Sequence, residues 1–313
     1  MSTHHLLRPS PETIHWGFFD AALKPVLTVR SGDRVTIESL SGAREESSNA
    51  PVPLFPEHLA VLEHCKPRLG PHIMTGPVAI EGAEAGDTLE VRIEAVELRQ
   101  AWGYNTVRPL KGSLPEDFPE RASTITIPID IARKESKLPW GVTVPLRPFF
   151  GVMAVAPRPS YGAVSSIEPR EFGGNIDNKE FIPGTNLLLP VQAPGALFSV
   201  GDGHAVQGDG EVCLTAIETA LTGTFELILH KKTGLSFPRA ITPTHLIAMG
   251  MDPDLDDAAK QALREMIKWL VELKGWKAVE AYRTCSLACD LRVTQIVDGN
   301  KGVHAMFPRA LLA

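Results

Sequence analysis

Apolar and polar residues alternate along several short runs of this chain. In Thr88-Leu89-Glu90-Val91-Arg92-Ile93, apolar Leu89, Val91 and Ile93 alternate with polar neighbours. That is the period of a strand with one buried face. Residues 225–229 and 291–296 read the same way. The runs Val26-Leu27-Thr28-Val29 and Val35-Thr36-Ile37-Glu38 flank a turn at Ser31-Gly32-Asp33, and Gly86-Asp87 opens the run at Thr88. Gly and Pro each occur 26 times and punctuate these runs at short intervals. Branched residues, alternation and turn residues together predict a mainly antiparallel β protein.

Two stretches break the alternation. Residues 41–72 and 99–123 carry no clear period and read as long surface excursions, of the kind that form lids or subunit contacts. In the last quarter Leu255, Ala259, Ala262, Leu263, Met266, Ile267 and Leu270 recur at helical spacing. Asp252 and Asp254 around Pro253 suit a helix start and Gly275 a stop. A second helix is expected over about 277–288, and Met266 and Trp269 are expected to pack against the sheet.

The chain has 313 residues with 43% hydrophobic content, enough for a sizeable core. It is read as one unit over 1–313, divisible into a β-rich part (1–150), a β-rich motif-bearing part (151–250) and a helical part with a final strand (251–313). Net charge is −6 with no basic patch, which argues against a nucleic-acid partner. No apolar run is long enough to span a bilayer, and the first residues lack a signal-peptide pattern. A cytoplasmic protein without membrane attachment is expected. Cys65, Cys213, Cys285 and Cys289 are too few for a disulfide scaffold. Cys285 and Cys289 could pair on a metal but read better as small apolar helix residues.

The candidate chemistry is concentrated in Gly201-Asp202-Gly203-His204-Ala205-Val206-Gln207-Gly208-Asp209-Gly210-Glu211. Glycines let this backbone fold closely around a small group, and the carboxylates and His204 can ligate a metal or move protons. In extended backbone Asp202 and His204 share a face, as do Asp209 and Glu211. Read alone, the Asp-Gly pairs are turns. Before this segment lie Gly173-Gly174-Asn175-Ile176-Asp177, then Leu189-Pro190-Val191 and Pro194-Gly195-Ala196-Leu197-Phe198-Ser199. Earlier still come Thr75-Gly76-Pro77-Val78, Glu81-Gly82-Ala83-Glu84 and Gly86-Asp87. With these motifs in this order, the chain from about His15 to Pro308 resembles the acetamidase/formamidase family. The resemblance implies jelly-roll-like or sandwich sheets with a C-terminal helical segment, hydrolysis of a short linear amide to acid and ammonia, and a homo-oligomer.

Amide hydrolysis needs a nucleophile, a stabilised oxyanion and a proton for the leaving ammonia. Ser165 or Ser166 could supply the nucleophile but lack a glycine- and serine-rich setting. Cys213 follows Glu211 but sits in an apolar, strand-like run. A metal-bound water is the third route and the one taken here. Asp177, Asp202 and His204 are the expected ligands, with Glu211 as the base. Zinc is favoured over calcium because a histidine is present. Asn175, His72 and Gln207 are expected to bind substrate, with His15 as a further lining candidate. Two other readings stay open: a non-enzymatic β-sandwich holding a structural calcium, and a hydrolase of another non-peptide C–N bond.

Overall fold

A computed structural model describes residues 2–118 and 121–312. Two sheets face one another. The larger has nine strands, in the order His4–Leu7, Asp33–Glu38, Leu221–His230, Thr88–Leu98, Asn186–Pro190, Arg239–Ile241, His245–Asp252, Lys301–Pro308 and Asp290–Gln295. Every pairing in it is antiparallel except the first. The smaller sheet runs Gly173–Asn175, Phe149–Ala154, Phe198–His204, Ile73–Ile80 and Ile14–Trp16, with Leu27–Val29 parallel to Ile73–Ile80. The runs on either side of Gly32 therefore enter different sheets. The turn between them carries the chain across the sandwich.

Alternation explains the core. Val91 and Ile93 from the larger sheet meet Val152, Phe198 and Val200 from the smaller in one buried cluster. On His245–Asp252, Ile247, Met249 and Met251 face that cluster, while Leu246 and Ala248 face outward and are covered by helices. Period two thus buries both faces of this strand, as its almost wholly apolar sequence requires.

The two covering helices of the last quarter lie where the spacing placed them, and a third lies where no helix was expected. Helix α1 spans Pro56–His64, α2 Leu255–Lys274 and α3 Ala278–Ala288. Asp254 caps α2 by accepting from the amides of Asp256 (2.9 Å) and Asp257 (3.1 Å). Gly275 ends it at φ 66°, in the left-handed region. Met266, Trp269 and Cys285 are buried against the sheet. Among the described residues, no helix is long and apolar enough to cross a membrane.

Two expectations need correcting. The stretch 41–72 contains α1, with His58 and Val61 buried, and nine residues are too few for a helical period to show in the sequence. The stretch 99–123 contains a strand, Trp102–Val107, paired with Ser123–Pro128. Trp102, Tyr104 and Thr106 are the side chains it buries, with Gly103 buried between the first two. They alternate at period two, but glycine and asparagine between them dilute the pattern.

Helix α2 approaches the sheet at Gly250 so closely that a Cβ there would overlap the Ala258 carbonyl oxygen and sit 2.6 Å from Ala262 N. Gly250→Ala should push α2 outward and destabilise the protein by about 1–3 kcal/mol, the usual range for overpacking. Thermal unfolding checks this. An unchanged midpoint would mean that the helix can shift freely on the sheet.

Candidate active site

The site lies at one end of the sandwich, where loops from both sheets converge on His204. This residue ends the strand Phe198–His204 and stands edge-on to Phe149 (5.0 Å, 83°). Its Nδ1 lies 2.8 Å from Gln207 Oε1, and Gln207 Nε2 donates to the Asp177 carbonyl at 2.8 Å. The second bond fixes which way the amide points. Nδ1 therefore carries the proton, and in the neutral ring Nε2 holds the lone pair.

Nε2 faces a ring of carboxylates. Asp202 Oδ2 is at 3.1 Å, Glu218 Oε2 at 3.2 Å, Asp177 Oδ1 at 3.9 Å and Glu211 Oε1 at 4.0 Å. Two triads here could hold a metal ion, Asp177–His204–Glu211 and Asp202–His204–Glu218, each with its donor atoms within 4.8 Å of one another. Asp298 faces Asp177 at the edge of the group.

The local backbone is bent to bring these groups together. Ile176 N and Asp177 N both donate to the Gly151 carbonyl, at 3.0 and 3.1 Å, which folds Asp177 back over Gly151. By register Gly151 falls opposite Asp202. A Cβ on Gly151 would overlap Asp177 Oδ1 and lie 2.6 Å from Asp202 Oδ2 and 2.8 Å from His204 Cε1. Only glycine leaves that space open. Asp177 (φ 55°), Asp202 (φ 56°) and Glu211 (φ 47°) all take left-handed conformations. L-residues take these at a cost, held here by the surrounding structure.

Charge and burial act together on these groups. Burial lowers the His204 pKa, but Glu218 and Asp202 outweigh it and hold the ring well above its usual range. For Asp202, burial is outweighed by His204 and His72, and its carboxyl stays below the usual range. Burial pushes up Asp177, Glu211 and Asp298, and lifts Glu218 to about 7.

Asp202, Glu211, Glu218 and Asp298 line a cavity of about 430 Å³ together with Asn175 and His72. Asn175 is buried, and its Oδ1 has no hydrogen-bond partner among the described residues. His72 is held through Nδ1 by Ser166 Oγ (2.9 Å). Gln207 is committed to His204 and Asp177, so its amide supports the site from behind. Asp209 bonds Lys179 at 3.0 Å and does not share a face with Glu211, because Gly210 (φ 98°) and Glu211 form a turn instead of extended backbone. His15 is occupied by the Phe18 carbonyl (2.6 Å) and Ser199 Oγ (2.8 Å), and burial lowers its pKa to about 4. Cys213 lies with Asn105 and Thr215, away from His204.

Glu218 and Asp298 had no motif to mark them. Glu218 is placed by backbone bridges to His204 and Tyr104, residues far from it in sequence or across the sheet. Asp298 precedes Gly299 and reads as an ordinary turn residue. Gln295 Oε1 holds it in place by accepting from its amide at 3.1 Å.

Residues 19–162 and 158–311 match the sequence profile of the Acetamidase/Formamidase family. A putative formamidase of Schizosaccharomyces pombe is 32% identical over 228 residues, which is 56% of this chain and 55% of that protein. The chain spans about half the length of the curated relatives it matches. The crystal structure of an acetamidase from Bacillus halodurans is 29% identical with a TM-score of 0.84, covering 98% of both chains. That of an acetamidase from Yersinia enterocolitica is 30% identical with a TM-score of 0.87, covering 100% of this chain and 94% of the other. The profile takes in both sheets except their strands His4–Leu7 and Ile14–Trp16, α2 and α3 and every carboxylate of the ring around His204, and the chain belongs to the acetamidase/formamidase family.

Proposed function

We propose that the protein hydrolyses the C–N bond of a linear amide, of the formamide or acetamide type, to a carboxylate and ammonia, using a divalent cation held by Asp177, Asp202 and His204. The observation that carries this reading is the convergence of those three side chains on the space left by Gly151. The donor set fits a cation. Asp177 Oδ1 and Oδ2 are buried without a hydrogen-bond partner among the described residues. Uncompensated buried carboxylates are destabilising by several kcal/mol each, and a cation offsets that. One imidazole among carboxylates favours zinc, whereas calcium takes 6–8 oxygens. When bound, such a cation lowers the pKa of a water toward 7.

The chain's own groups do the rest. Glu211, lining the cavity, takes a proton from the attacking water at its carboxylate and returns it to the departing amide nitrogen. Glu218 stands across the same space and shares the negative field that holds His204 in place. Asn175 offers its amide to the substrate's own amide group, and His72 lines the cavity beside it. Gln207 keeps His204 Nε2 turned inward. The exposed Leu110, Leu114, Phe118 and Trp140 support the expectation of a homo-oligomer.

Metal-replete protein should release ammonia from formamide or acetamide. Chelation should abolish the activity and zinc should restore it. Full turnover by a sample shown metal-free by elemental analysis would rule out the cation.

Glu211→Gln should lose roughly 10²–10⁴ in kcat while keeping metal and fold. His204→Ala should lose metal and activity together. Retention of wild-type turnover by Glu211→Gln would make Glu211 a structural turn residue, and Glu218 would then be the base to test.

Gly151→Ala should lose bound zinc, because the new methyl occupies the point of convergence. Gln207→Leu should instead weaken zinc by roughly 10–100-fold, the usual effect of removing a group that orients a metal-binding histidine. Metal competition titrations separate the two outcomes. Equal zinc affinity in all three proteins would remove Gly151 and Gln207 from the account.

A further inference from the structure

The cavity in front of the carboxylates is much larger than formamide or acetamide needs. At about 430 Å³ it falls in the range of roughly 300–1,000 Å³ typical of sites for much larger small molecules. With roughly 30 Å³ per liquid water, acetamide would leave most of it filled with solvent.

Its walls are not uniform. Asp202, Glu211, Glu218 and Asp298, the groups around His204, form its carboxylate floor. A separate apolar chamber is made by Trp16, Leu40 and Ile73, which are buried and packed with Val61 of α1 in a single cluster, with Ile167, Leu214 and Val297 also in the lining. Trp16 is locked in place by its Nε1, which donates to the Pro71 carbonyl at 2.7 Å. The remaining charged lining is either paired, as Glu46 is with Arg108, or exposed, as Glu45 and Lys111 are. Carboxylates and a fixed apolar cluster in one cavity suit a ligand with one amide end and one hydrocarbon end.

We propose that the apolar chamber bounded by Trp16, Leu40, Ile73 and Ile167 is an acyl-binding subsite, and that the preferred substrates are primary amides with an apolar acyl chain longer than acetyl. This rests on the amidase reading and extends it from the reacting group to the substrate's tail. The amide end reaches Asn175 and the carboxylate floor, and the chain lies along the Trp16 wall. Burial of each methylene contributes to binding in the ground and transition states alike. It therefore acts on KM, and on kcat/KM through it, more than on kcat.

The test is a chain-length series with metal-replete, full-length protein: formamide, acetamide, butanamide, hexanamide and phenylacetamide, followed by ammonia release. Full burial would improve kcat/KM by roughly threefold to fourfold per methylene, the equivalent of about 0.8 kcal/mol per CH₂. An overall gain of roughly tenfold or more from acetamide to hexanamide, carried by KM, is expected. Ala43→Phe, which adds bulk at the chamber edge, should cancel the gain for hexanamide and leave acetamide unchanged. Ile167→Ala removes wall atoms without adding bulk, and should raise KM for hexanamide several-fold and for acetamide little. A kcat/KM that is flat or falls beyond acetamide overturns the acyl subsite and leaves the amidase reading standing. No ammonia from any member of the series overturns both.

Discussion

Everything about this site depends on one constraint: carboxylates that repel one another must be held together out of water. Asp177, Glu211, Glu218 and Asp298 are buried, and Asp202 is partly so. In a low-dielectric setting such a group is stable only if the fold leaves it no alternative and a positive charge sits among it. Without a cation, protonated His204 supplies that charge; with one bound, Nε2 gives up its proton and the cation supplies it. The ring is held there from the other side by Gln207, whose own orientation is set by a backbone carbonyl. A chain of three hydrogen-bonding groups thus fixes where the opposing charge points.

The backbone bears the rest of the load. Asp177, Asp202 and Glu211 are all left-handed, and Gly151 leaves out the one atom that would separate them. The two sheets make this possible by being rigid. The strand carrying His204 is hydrogen-bonded on both sides, and Glu211 follows a glycine tied to the C-terminal hairpin by Gly210 N to Thr294 O (3.0 Å) and Ile296 N to Gly210 O (3.1 Å). A softer scaffold would let the carboxylates separate and the strain relax.

Much of the architecture was legible in the sequence because it follows from periodicity. The strands at Thr88 and Leu221 and the helix from Leu255 to Gly275 all have clear periods and end signals. The sequence also singled out Asp202 and His204, which sit among closely spaced glycines, and Asp177, which closes the Gly173-Gly174-Asn175-Ile176-Asp177 run. It picked Glu211 over Asp209 as the base, but no spacing shows why the two should differ. Both follow a glycine by one residue, and only the left-handed turn at Gly210 sends one inward and the other to Lys179. Glu218 and Asp298 were invisible for a different reason. Their neighbours in sequence say nothing about them, and they join the site only through pairings that close over long loops. Gln207 was legible as a polar group near the site, but its role depends on two distances that no spacing encodes.

The C-terminal hairpin gives the site an order of assembly. Asp298, and the Thr294 and Ile296 groups that hold the Glu211 loop, come later in the chain than Asp177, Asp202, His204, Glu211 and Glu218. A ribosome therefore releases them after those groups, when both sheets could already have begun to form from earlier strands. During synthesis the nascent protein can gather Asp177, Asp202 and His204, but the Glu211 loop gains its ties to Thr294 and Ile296 only when this hairpin pairs across the sheet. Pairing of the hairpin thus completes the site, and a chain broken off before it would lack Asp298 and the hold on Glu211.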